Sequence, residues 1–309
     1  MPKIIVIIVT YNGERWIRTC LQDLQKSSCP AEVLVIDNAS TDGTPETVRH
    51  HFPETVLIAN TANTGFGQAN NQGLEYALRE KADYVFLLNQ DAYVCPDTLE
   101  QLIRVQQQHA GYGIISPVQL NGSGEKIDDR FRIYLRRNYP EAFVKKIFPL
   151  QKEVPALLPV RFVNAAAWLI PRSCLERVGL FHPLFAHYGE DNNYASRAQY
   201  HGFKTGVCPT ALVRHDRHTP SPDAPALLLR QVRTIPRYIL LDLRKPFLLA
   251  RLLAHRKLRR LYRKGEQLGD AAVMEAATEQ LQWMQENREE LRRVREEMKQ
   301  PFRPVKQSS

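Results

Sequence analysis

Long apolar segments and paired cysteines are both scarce in this sequence. The longest early apolar run, residues 4–9, is far shorter than the roughly 20 residues of a membrane-spanning helix. The run also lacks the length and the cleavage site of a secretory signal. The five cysteines are odd in number and scattered, without a Cys-x-x-Cys pair, which argues against a disulfide framework or a zinc knuckle. We therefore expect a cytoplasmic protein with buried thiols.

Complete glycine-rich phosphate motifs are also missing. The sequence contains neither a G-x-x-x-x-G-K-[ST] loop nor a complete G-x-G-x-x-G motif. The partial match Gly65-Phe66-Gly67 follows the third predicted strand, not the first. These absences argue against a P-loop or a dinucleotide-binding site of the common type.

What is present is ordinary for a globular protein. Of the 309 residues, 43% are hydrophobic and 24% are charged, which excludes a collagen-like, low-complexity or wholly disordered chain. The length predicts two domains, or one large domain with an appendage.

Positive charge is concentrated in one segment. Residues 225–264 contain twelve lysines and arginines and one acid, Asp242, for a net charge of +11. The whole chain carries +9, so the other residues sum to −2. Leucines alternate with the basic residues near helical spacing, which favours a helix on an anionic membrane surface. A helix packed on the catalytic core is the second interpretation. Nucleic-acid binding is the last, because aromatic residues are sparse and no nucleic-acid motif is present.

The first third alternates strands and helices, which predicts a mainly parallel sheet covered by helices on both faces, an α/β fold. Strands are predicted at 4–9, 32–36, 56–59 and 84–88, and helices at 14–26, from Thr44 onward, and at 67–79. Later strands are predicted at 114–118, 204–208 and 211–213, helices at 171–178 and 190–201, an apolar stretch at 162–170 and a long loop at 121–159.

A proline-rich linker near 220–225 predicts the boundary between two units. We expect an α/β catalytic domain at 1–223 and a basic helical C-terminal extension at 224–309. Breaks are expected at Pro236 and Pro246, and the last residues, 301–309, are expected to fray. The Glu/Arg-rich terminal helix is interpreted equally well as a self-association element or as a solvated extension.

Polar residues follow three of the predicted strands, at the edge where open parallel sheets bind ligands. They are Thr10-Tyr11-Asn12 after the first strand, Asp37-Asn38 after the second and Asn89-Gln90-Asp91 after the fourth. Any one group is explained by turn preference, but three on one edge favour a site. Since Mg²⁺ and Mn²⁺ are commonly held by one or two carboxylates and substrate phosphates, Asp91 fits a diphosphate-bound cation.

Two adjacent carboxylates, Glu190 and Asp191, open a predicted helix after the aromatic- and histidine-rich stretch 181–188. Partial desolvation there would raise a carboxyl pKa toward that of a general base. The alternative is that first-turn acids only complement the helix dipole. Downstream, His215 either completes a metal shell or is structural. Arg197 is interpreted equally well as a partner of a carboxylate or diphosphate and as a helix-surface ion pair.

An ordered set of motifs over about residues 3–217 resembles family 2 glycosyltransferases, and most of all their bacterial rhamnosyltransferase-like members. The motifs are Ile7-Ile8-Val9-Thr10-Tyr11-Asn12, Val35-Ile36-Asp37-Asn38-Ala39-Ser40-Thr41-Asp42-Gly43-Thr44, Asn63-Thr64-Gly65-Phe66-Gly67 with Asn71 and Gly73, Leu87-Leu88-Asn89-Gln90-Asp91, and Tyr188-Gly189-Glu190-Asp191. The resemblance implies a GT-A fold, a nucleoside-diphosphate-sugar donor (dTDP- or UDP-sugars favoured), Mg²⁺ or Mn²⁺, and inversion at the anomeric carbon.

The resemblance also implies roles for individual residues. Donor-binding positions are Thr10, Tyr11 and Asn12 near the base, Asp37 at the base or ribose, and Asn63, Gly65, Asn71, Asn89 and Gln90 around the donor. Asp91 and His215 would hold the metal, and Asp191, with Glu190 beside it, would be the general base. The acceptor would be a hydroxyl of a glycan or lipid-linked glycan, which places the protein in polysaccharide or cell-envelope synthesis at the inner face of the cell membrane.

The sequence departs from the family pattern at a few positions. Asn89 replaces the first acid of the D-x-D motif, which predicts weaker metal affinity. The Phe-Asp-Glu run of many relatives is Phe181-His182-Pro183 here, and Asn193 replaces a frequent Asp.

Two other functions remain open. A sugar-phosphate nucleotidylyltransferase usually carries a Gly-rich basic loop after strand one, and Tyr11-Asn12-Gly13-Glu14 is not one. A non-catalytic membrane- or partner-binding scaffold would not need the acids.

Overall fold

One open sheet carries the N-terminal part of the chain, and a group of helices follows it. The computed structural model describes residues 2–185, 188–217 and 224–302. His187, the linker residues 220–223 and most of the predicted frayed end, 303–309, lie outside the described residues. The division between residues 223 and 224 falls beside an undescribed stretch and stays a prediction.

Within the described residues, nine strands form the sheet, in the order β3-β2-β1-β4-β8-β6-β9-β5, with β7 also paired to β9. The strands are β1 Ile4–Thr10, β2 Glu32–Asp37, β3 Val56–Ala59, β4 Tyr84–Asn89, β5 Ala92–Val94, β6 Tyr112–Asn121, β7 Leu158–Val160, β8 Ala167–Pro171 and β9 Lys204–His215. The half from β3 to β4 is parallel, as expected. The other half is mixed, because β8 runs antiparallel to β4 and β6, while β9 is parallel to β6.

Helices cover both faces of the sheet and then continue beyond it. Those of the sheet region are α1 Glu14–Gln25, α2 Thr44–His51, α3 Phe66–Arg79, α4 Thr98–Gln108, α5 Asp129–Arg136, α6 Glu141–Val144, α7 Arg172–Val178 and α8 Glu190–Tyr200. Those that follow are α9 Ala224–Leu240, α10 Phe247–Leu268, α11 Ala271–Glu286 and α12 Arg288–Lys299.

The apolar runs account for the buried strands. In β1, Ile4 to Ile8 are all buried, and alternate side chains enter separate cores on the two faces of the sheet. Gly73 of α3 allows a close approach to β1, because a Cβ there would lie 2.6 Å from the Ile7 side chain. The register pairs Thr10 with Asp37 and Val9 with Asn89, so the three polar strand ends meet at one edge.

The predicted loop at 121–159 is wrong in detail, because it contains α5, α6 and the start of β7. Helix α5 begins where the Asp128 carboxylate accepts a hydrogen bond from Phe131 N at 2.8 Å. Phe131 and Leu135 are then buried one turn apart. The basic and polar residues between them hide this pattern in the sequence. The two short strands predicted at 204–213 form one strand, β9.

The C-terminal helices form a third core and pack on the sheet domain. Pro236 lies inside α9, so the predicted break there is wrong, whereas Pro246 does precede α10. Helix α12 buries Leu291, Val294 and Met298, so the interpretation of a solvated extension is also wrong. Self-association stays a prediction. Among the described residues, no helix is both long and apolar enough to cross a membrane.

Candidate active site

A buried carboxylate joins the ends of β1 and β2. Asp37 is 2% exposed and accepts hydrogen bonds from Thr10 Oγ1 at 2.9 Å and from Ser40 N at 3.0 Å. These bonds fix the turn after β2. Thr10 is buried as well. Both residues therefore support the rim from below, and direct contact between either one and a base or ribose stays a prediction.

Two asparagines shape the loop before α3. Asn38 Nδ2 donates to Asn63 Oδ1 at 2.8 Å, and Asn63 Oδ1 also accepts from Gly65 N at 2.9 Å. Thr64 N donates to Asn38 Oδ1 at 2.9 Å. Gly65 has φ +81°, a conformation that a side chain would strain, so glycine is needed there. This network holds the amide of Asn63 at the rim.

Gln90 holds the exposed residue Tyr11 in place. The Gln90 amide accepts from Tyr11 N at 3.0 Å and donates to Tyr11 O at 3.3 Å. Asn12 connects the two neighbouring turns, because its N–H donates to Ser40 Oγ at 2.9 Å and its side chain accepts from Thr41 N at 2.8 Å. Tyr11 is 48% exposed, so its ring is free to stack on a flat ligand.

These side chains border a cavity of about 300 Å³, the donor cavity. Its lining comprises Val9, Tyr11, Asn38, Asn63, Phe66, Asn89, Gln90 and Asp91. Five of the predicted donor and metal residues, Tyr11, Asn63, Asn89, Gln90 and Asp91, thus come together. Asn12 and Gly65 shape the adjoining turns and do not line the cavity.

Asp91 and His215 meet at the floor of this region. His215 Nε2 lies 3.2 Å from Asp91 Oδ1, and its other nitrogen, Nδ1, lies 3.3 Å from Gln119 Oε1. The imidazole is 2% exposed. Antiparallel pairing of β5 with β9 places Ala92 opposite His215, which brings the two predicted metal ligands together.

The donor set fits a divalent cation that is shared with a substrate. The Gln119 amide oxygen can only accept, so this hydrogen bond requires the proton on His215 Nδ1 and leaves Nε2 as the nitrogen whose lone pair a metal would use. That lone pair and a carboxylate oxygen, 3.2 Å apart, both suit a cation between or beside them. Across the described residues no cluster of three or more His, Cys, Asp or Glu side chains could hold a metal. Two protein ligands leave room for phosphate oxygens, as is typical of Mg²⁺ and Mn²⁺.

The second pair of acids opens α8. Gly189 precedes the helix with φ +96°, a left-handed turn that glycine adopts without strain. Burial raises the pKa of Asp191, and hydrogen bonds from Asn192 partly oppose the shift. Burial, together with the charge of Asp191, raises the pKa of Glu190 to about 7. Glu190 Oε2 is buried and has no hydrogen-bond partner among the described residues.

The two acids border a larger cavity of about 660 Å³, which we call the acceptor cavity after the role proposed for it below. Its lining comprises Phe66, Asn89, Arg130, Tyr134, Asn164, Ala165, Ala166, Tyr188, Glu190, Asp191, Arg217, Leu227 and Arg230. Phe66 and Asn89 also line the donor cavity, so the two cavities adjoin. Asp91 and Asp191 therefore border neighbouring cavities.

Several lining residues of the acceptor cavity carry no signal in the sequence. Arg130 lies on α5, within the predicted loop, and Leu227 and Arg230 lie on α9 of the predicted extension. The Arg230 guanidinium lies 4.7 Å from the ring centre of Tyr188. The basic segment thus contributes to the site itself. Only its position in the fold reveals this, because its leucine and arginine pattern predicts a surface helix.

Asn71, predicted at the donor pocket, and Arg197, for which a ligand contact and a surface ion pair are equally open, both bind backbone groups. The donor role of Asn71 stays a prediction. Asn71 exchanges hydrogen bonds with the backbone of Phe181, at 2.9 Å to the carbonyl and 2.8 Å from the N–H, and it does not line the donor cavity. Arg197 donates to the carbonyls of Val178 and Leu180 and to Asn193, and no described carboxylate pairs with it. Burial lowers the pKa of Arg197 to about 10. Both side chains brace the chain before α8.

The protein has a GT-A fold, as its open sheet and its likeness to solved structures show. The chain superposes on the mannosyltransferase PcManGT from Pyrobaculum calidifontis in complex with GDP-Man and Mn²⁺. The TM-score is 0.58 at 19% identity, over 96% of this chain and 84% of that one. At this identity the likeness shows the fold alone.

The chain belongs to glycosyl transferase family 2, whose sequence model matches residues 5–178. It is 26% identical over 217 residues to the low-salt glycan biosynthesis hexosyltransferase Agl10 of Haloferax volcanii, covering 69% of this chain and 66% of that protein. It is 25% identical over 232 residues to the N-acetylglucosaminyl-diphospho-decaprenol L-rhamnosyltransferase of Mycobacterium tuberculosis (strain CDC 1551), covering 69% of this chain and 75% of that protein. The chain thus spans just under two thirds of the length of the first relative. The predicted rhamnosyltransferase-like family is confirmed.

Proposed function

We propose that this protein is an inverting glycosyltransferase that moves a sugar from a nucleoside-diphosphate-sugar to a hydroxyl of a lipid-linked glycan. The observation that carries the proposal is that Asp91 and Asp191 border two cavities that share Phe66 and Asn89. The first cavity lies beside a paired carboxylate and imidazole with few other ligands, and the second is lined by two carboxylates with raised pKa values. A metal-bound leaving group and an acceptor base need two adjacent sites of this kind.

The donor would occupy the smaller cavity. Tyr11 offers a ring for the nucleotide base, and Asn63 and Gln90 offer amides for its polar groups. Asp91 and His215 would hold Mg²⁺ or Mn²⁺, which neutralises charge on the leaving diphosphate when it is bound. The Pyrobaculum neighbour carries Mn²⁺ and a nucleotide sugar, which supports this assignment.

Asp191 would act as the general base. Its carboxylate takes the proton of the acceptor hydroxyl while the acceptor oxygen forms a bond to the anomeric carbon. The bond from that carbon to the diphosphate oxygen breaks, and the diphosphate leaves with the electron pair. A single displacement of this kind inverts the anomeric configuration. Alignment of both substrates across Phe66 and Asn89 would supply much of the remaining acceleration.

The charge of the acceptor cavity supports an anionic acceptor. Arg130 and Arg230 line the cavity without an acidic partner in the described part of the chain, whereas Arg217 pairs with Asp128 at 3.1 Å. Guanidinium groups match phosphate oxygens well. The mycobacterial relative is named for a diphospho-decaprenol acceptor. We therefore assign a glycan linked to a lipid diphosphate as the acceptor class.

The test begins with a thermal-shift panel of UDP-, dTDP- and GDP-sugars with Mn²⁺ or Mg²⁺. A donor at a hundred times its dissociation constant should stabilise the fold by about 2.7 kcal/mol. The stabilising donor is then incubated with a short-chain glycan-diphosphate lipid. Transfer with release of the nucleoside diphosphate, and an inverted linkage by NMR, are expected.

Three outcomes would contradict the proposal. Release of pyrophosphate would indicate nucleotidyl transfer. A product that retains the donor's anomeric configuration would exclude the single-displacement mechanism. Failure of every sugar nucleotide to stabilise the protein or to be consumed would favour a binding scaffold.

A further inference from the structure

Helix α10 has a buried face and an outward face of unusual composition. Ala250, Ala254, Leu258, Leu261 and Gly265 are buried against the neighbouring helices. At about 100° per residue, the opposite face carries Leu248 and Leu252 in its first two turns and Arg256, Arg259 and Arg263 in the following turns. An apolar tip is thus followed by a basic strip on one side of the helix.

The leucines of this tip are exposed to a degree that needs an explanation. Leu248 is 76% exposed, Leu249 43% and Leu252 46%, and all three lie within two turns of one helix. Scattered exposed leucines are common, but a contiguous group at the end of a helix marks a contact surface.

The charge around the tip is almost wholly positive. Seven lysines and arginines lie on α10 against one acid, Glu266 in its last turn, and none of the seven forms an ion pair with another residue that the structure describes. The one acid of the basic segment, Asp242, is 5% exposed and is bound by Arg244 and Lys245. Although burial raises the pKa of Asp242, these two cations hold it well below its usual range. The outward surface keeps its positive charge uncompensated.

The fold holds this surface rigidly. Arg295 of α12 donates to the carbonyls of Leu240, Asp242 and Lys245, which close the turn between α9 and α10. Phe247, the first residue of α10, lies under the guanidinium groups of Arg292 and Arg295 at 5.6 and 5.5 Å. The terminal helix thus fixes the base of the apolar tip. A fixed helix end loses little conformational entropy on binding.

We propose that the outward face of α10 docks on an anionic lipid bilayer, with Leu248, Leu249 and Leu252 in the interfacial layer and Arg256, Arg259 and Arg263 against the headgroups. Interfacial helices combine these two elements. A second copy of the chain fits less well, because the three outward arginines of one copy would face the same three of the other. A nucleic acid would use the arginines but leave the leucines in water.

The test is vesicle sedimentation of the full chain, without donor or acceptor, so that its result does not depend on the proposed reaction. Vesicles of pure phosphatidylcholine are compared with vesicles containing 30 mol% phosphatidylglycerol, about a third of the lipid, as is needed for a strongly negative surface. The wild type should partition onto the anionic vesicles and release at high salt.

Charge variants test the basic strip. Arg256→Gln/Arg259→Gln/Arg263→Gln should weaken partitioning about a hundredfold, since each basic residue near an anionic surface contributes about fivefold. Arg18→Gln/Arg104→Gln/Lys152→Gln removes the same charge from exposed positions of the sheet domain and should retain most of the binding. If both triple variants lose the same degree of vesicle binding, the proposal is overturned, because the binding then reflects the net charge of the protein and not the face of α10.

Apolar variants test the tip. Leu248→Ala/Leu252→Ala should lower partitioning at least tenfold, because each removes several buried methylene equivalents. The control is Ile133→Ala/Leu150→Ala, at positions that are 52% and 44% exposed elsewhere. Unchanged thermal stability shows that the variants fold. No partitioning by the wild type, or a dimer in analytical ultracentrifugation that the leucine variant breaks, would overturn membrane docking.

Discussion

His215 Nε2 and Asp91 Oδ1 lie 3.2 Å apart at the end of the donor cavity, although the residues are far apart in the sequence. The contact exists because β5 begins directly after Asp91 and pairs antiparallel with β9, which ends at His215. Gln119 on β6 orients the ring through Nδ1 at 3.3 Å. Three strands thus cooperate to present one oxygen and one nitrogen to the same point.

This geometry predicts that Gln119 affects metal use through His215, without touching the metal itself. Gln119→Ala leaves His215 Nδ1 without its acceptor, so the ring loses its fixed orientation. Removal of such an orienting partner typically costs about 10–100-fold in metal affinity. The measurement is the Mn²⁺ concentration that gives half-maximal donor stabilisation. His215→Ala should show a larger shift, and an unchanged Mn²⁺ requirement in both variants would move the metal elsewhere.

Asp191→Asn should abolish transfer while it preserves the donor complex. The amide keeps the size of the side chain but cannot accept a proton from the acceptor hydroxyl. Loss of a general base costs about 10²–10⁴-fold in turnover. Initial rates are measured beside donor thermal shifts. The control is Asn192→Ala, which removes a neighbouring amide that only hydrogen-bonds to Asp191. Near-normal turnover in Asp191→Asn would assign the base to another residue, with Glu190 as the first candidate.

The raised pKa of Glu190 predicts that the stability difference between the wild type and Glu190→Gln depends on pH. Its pKa is raised to about 7 by burial and by Asp191, so the folded protein holds a proton that the unfolded chain releases near pH 4.5. The contribution of the protonated Glu190 to stability is complete below about pH 4.5 and is lost as the pH rises through about 7. Glu190→Gln, which stays neutral, should therefore gain in melting temperature relative to wild type as pH increases from 5 to 8. A difference that stays constant over this range would contradict the assigned burial.

Arg230 should matter for the acceptor and little for the donor. It lines the acceptor cavity, and no acid among the described residues neutralises it. Arg230→Gln should raise the KM for a lipid-diphosphate acceptor about tenfold, the loss of one charge-assisted hydrogen bond. The KM for the same glycan on an uncharged alkyl chain should change little. Arg233→Gln, one turn along α9 and exposed, is the control. Equal effects on both acceptors would show that Arg230 only shapes the cavity.

The strand ends of the donor cavity are predictable because local rules determine them. Continuous apolar runs predict β1, β2 and β4, and parallel strands place their carboxyl ends at one edge. The side chains of Tyr11, Asn89 and Asp91 then follow from their position after each strand. In this half of the sheet β1, β2 and β3 are neighbours in sequence order, and β4 pairs with the other side of β1.

The acceptor cavity is less predictable because its walls come from distant segments. Arg130 and Leu227 lie on helices that reach the site only through tertiary packing, and their neighbours in the sequence show no catalytic pattern. The donor-pocket role of Asn71 comes from the family resemblance, and for Arg197 the sequence leaves a carboxylate or diphosphate partner and a helix-surface ion pair equally open. Their partners are backbone groups, which a sequence motif does not reveal.

The role of Arg197 as a brace predicts a loss of stability that is separable from chemistry. Its guanidinium donates to Val178 O at 2.7 Å and also to Leu180 O, and it lies 5.2 Å from the ring centre of Tyr194. Arg197→Met fills the volume but leaves the two carbonyls unpaired, which should cost about 2–4 kcal/mol in denaturant unfolding. Arg177→Gln, an exposed change in the adjacent helix α7, should stay within about 0.5 kcal/mol of wild type. If Arg197 bound the diphosphate instead, Arg197→Met would lower donor affinity while the free energy of unfolding stayed unchanged. If Arg197 is a brace, Arg197→Met lowers the free energy of unfolding while the donor affinity of the folded protein stays unchanged.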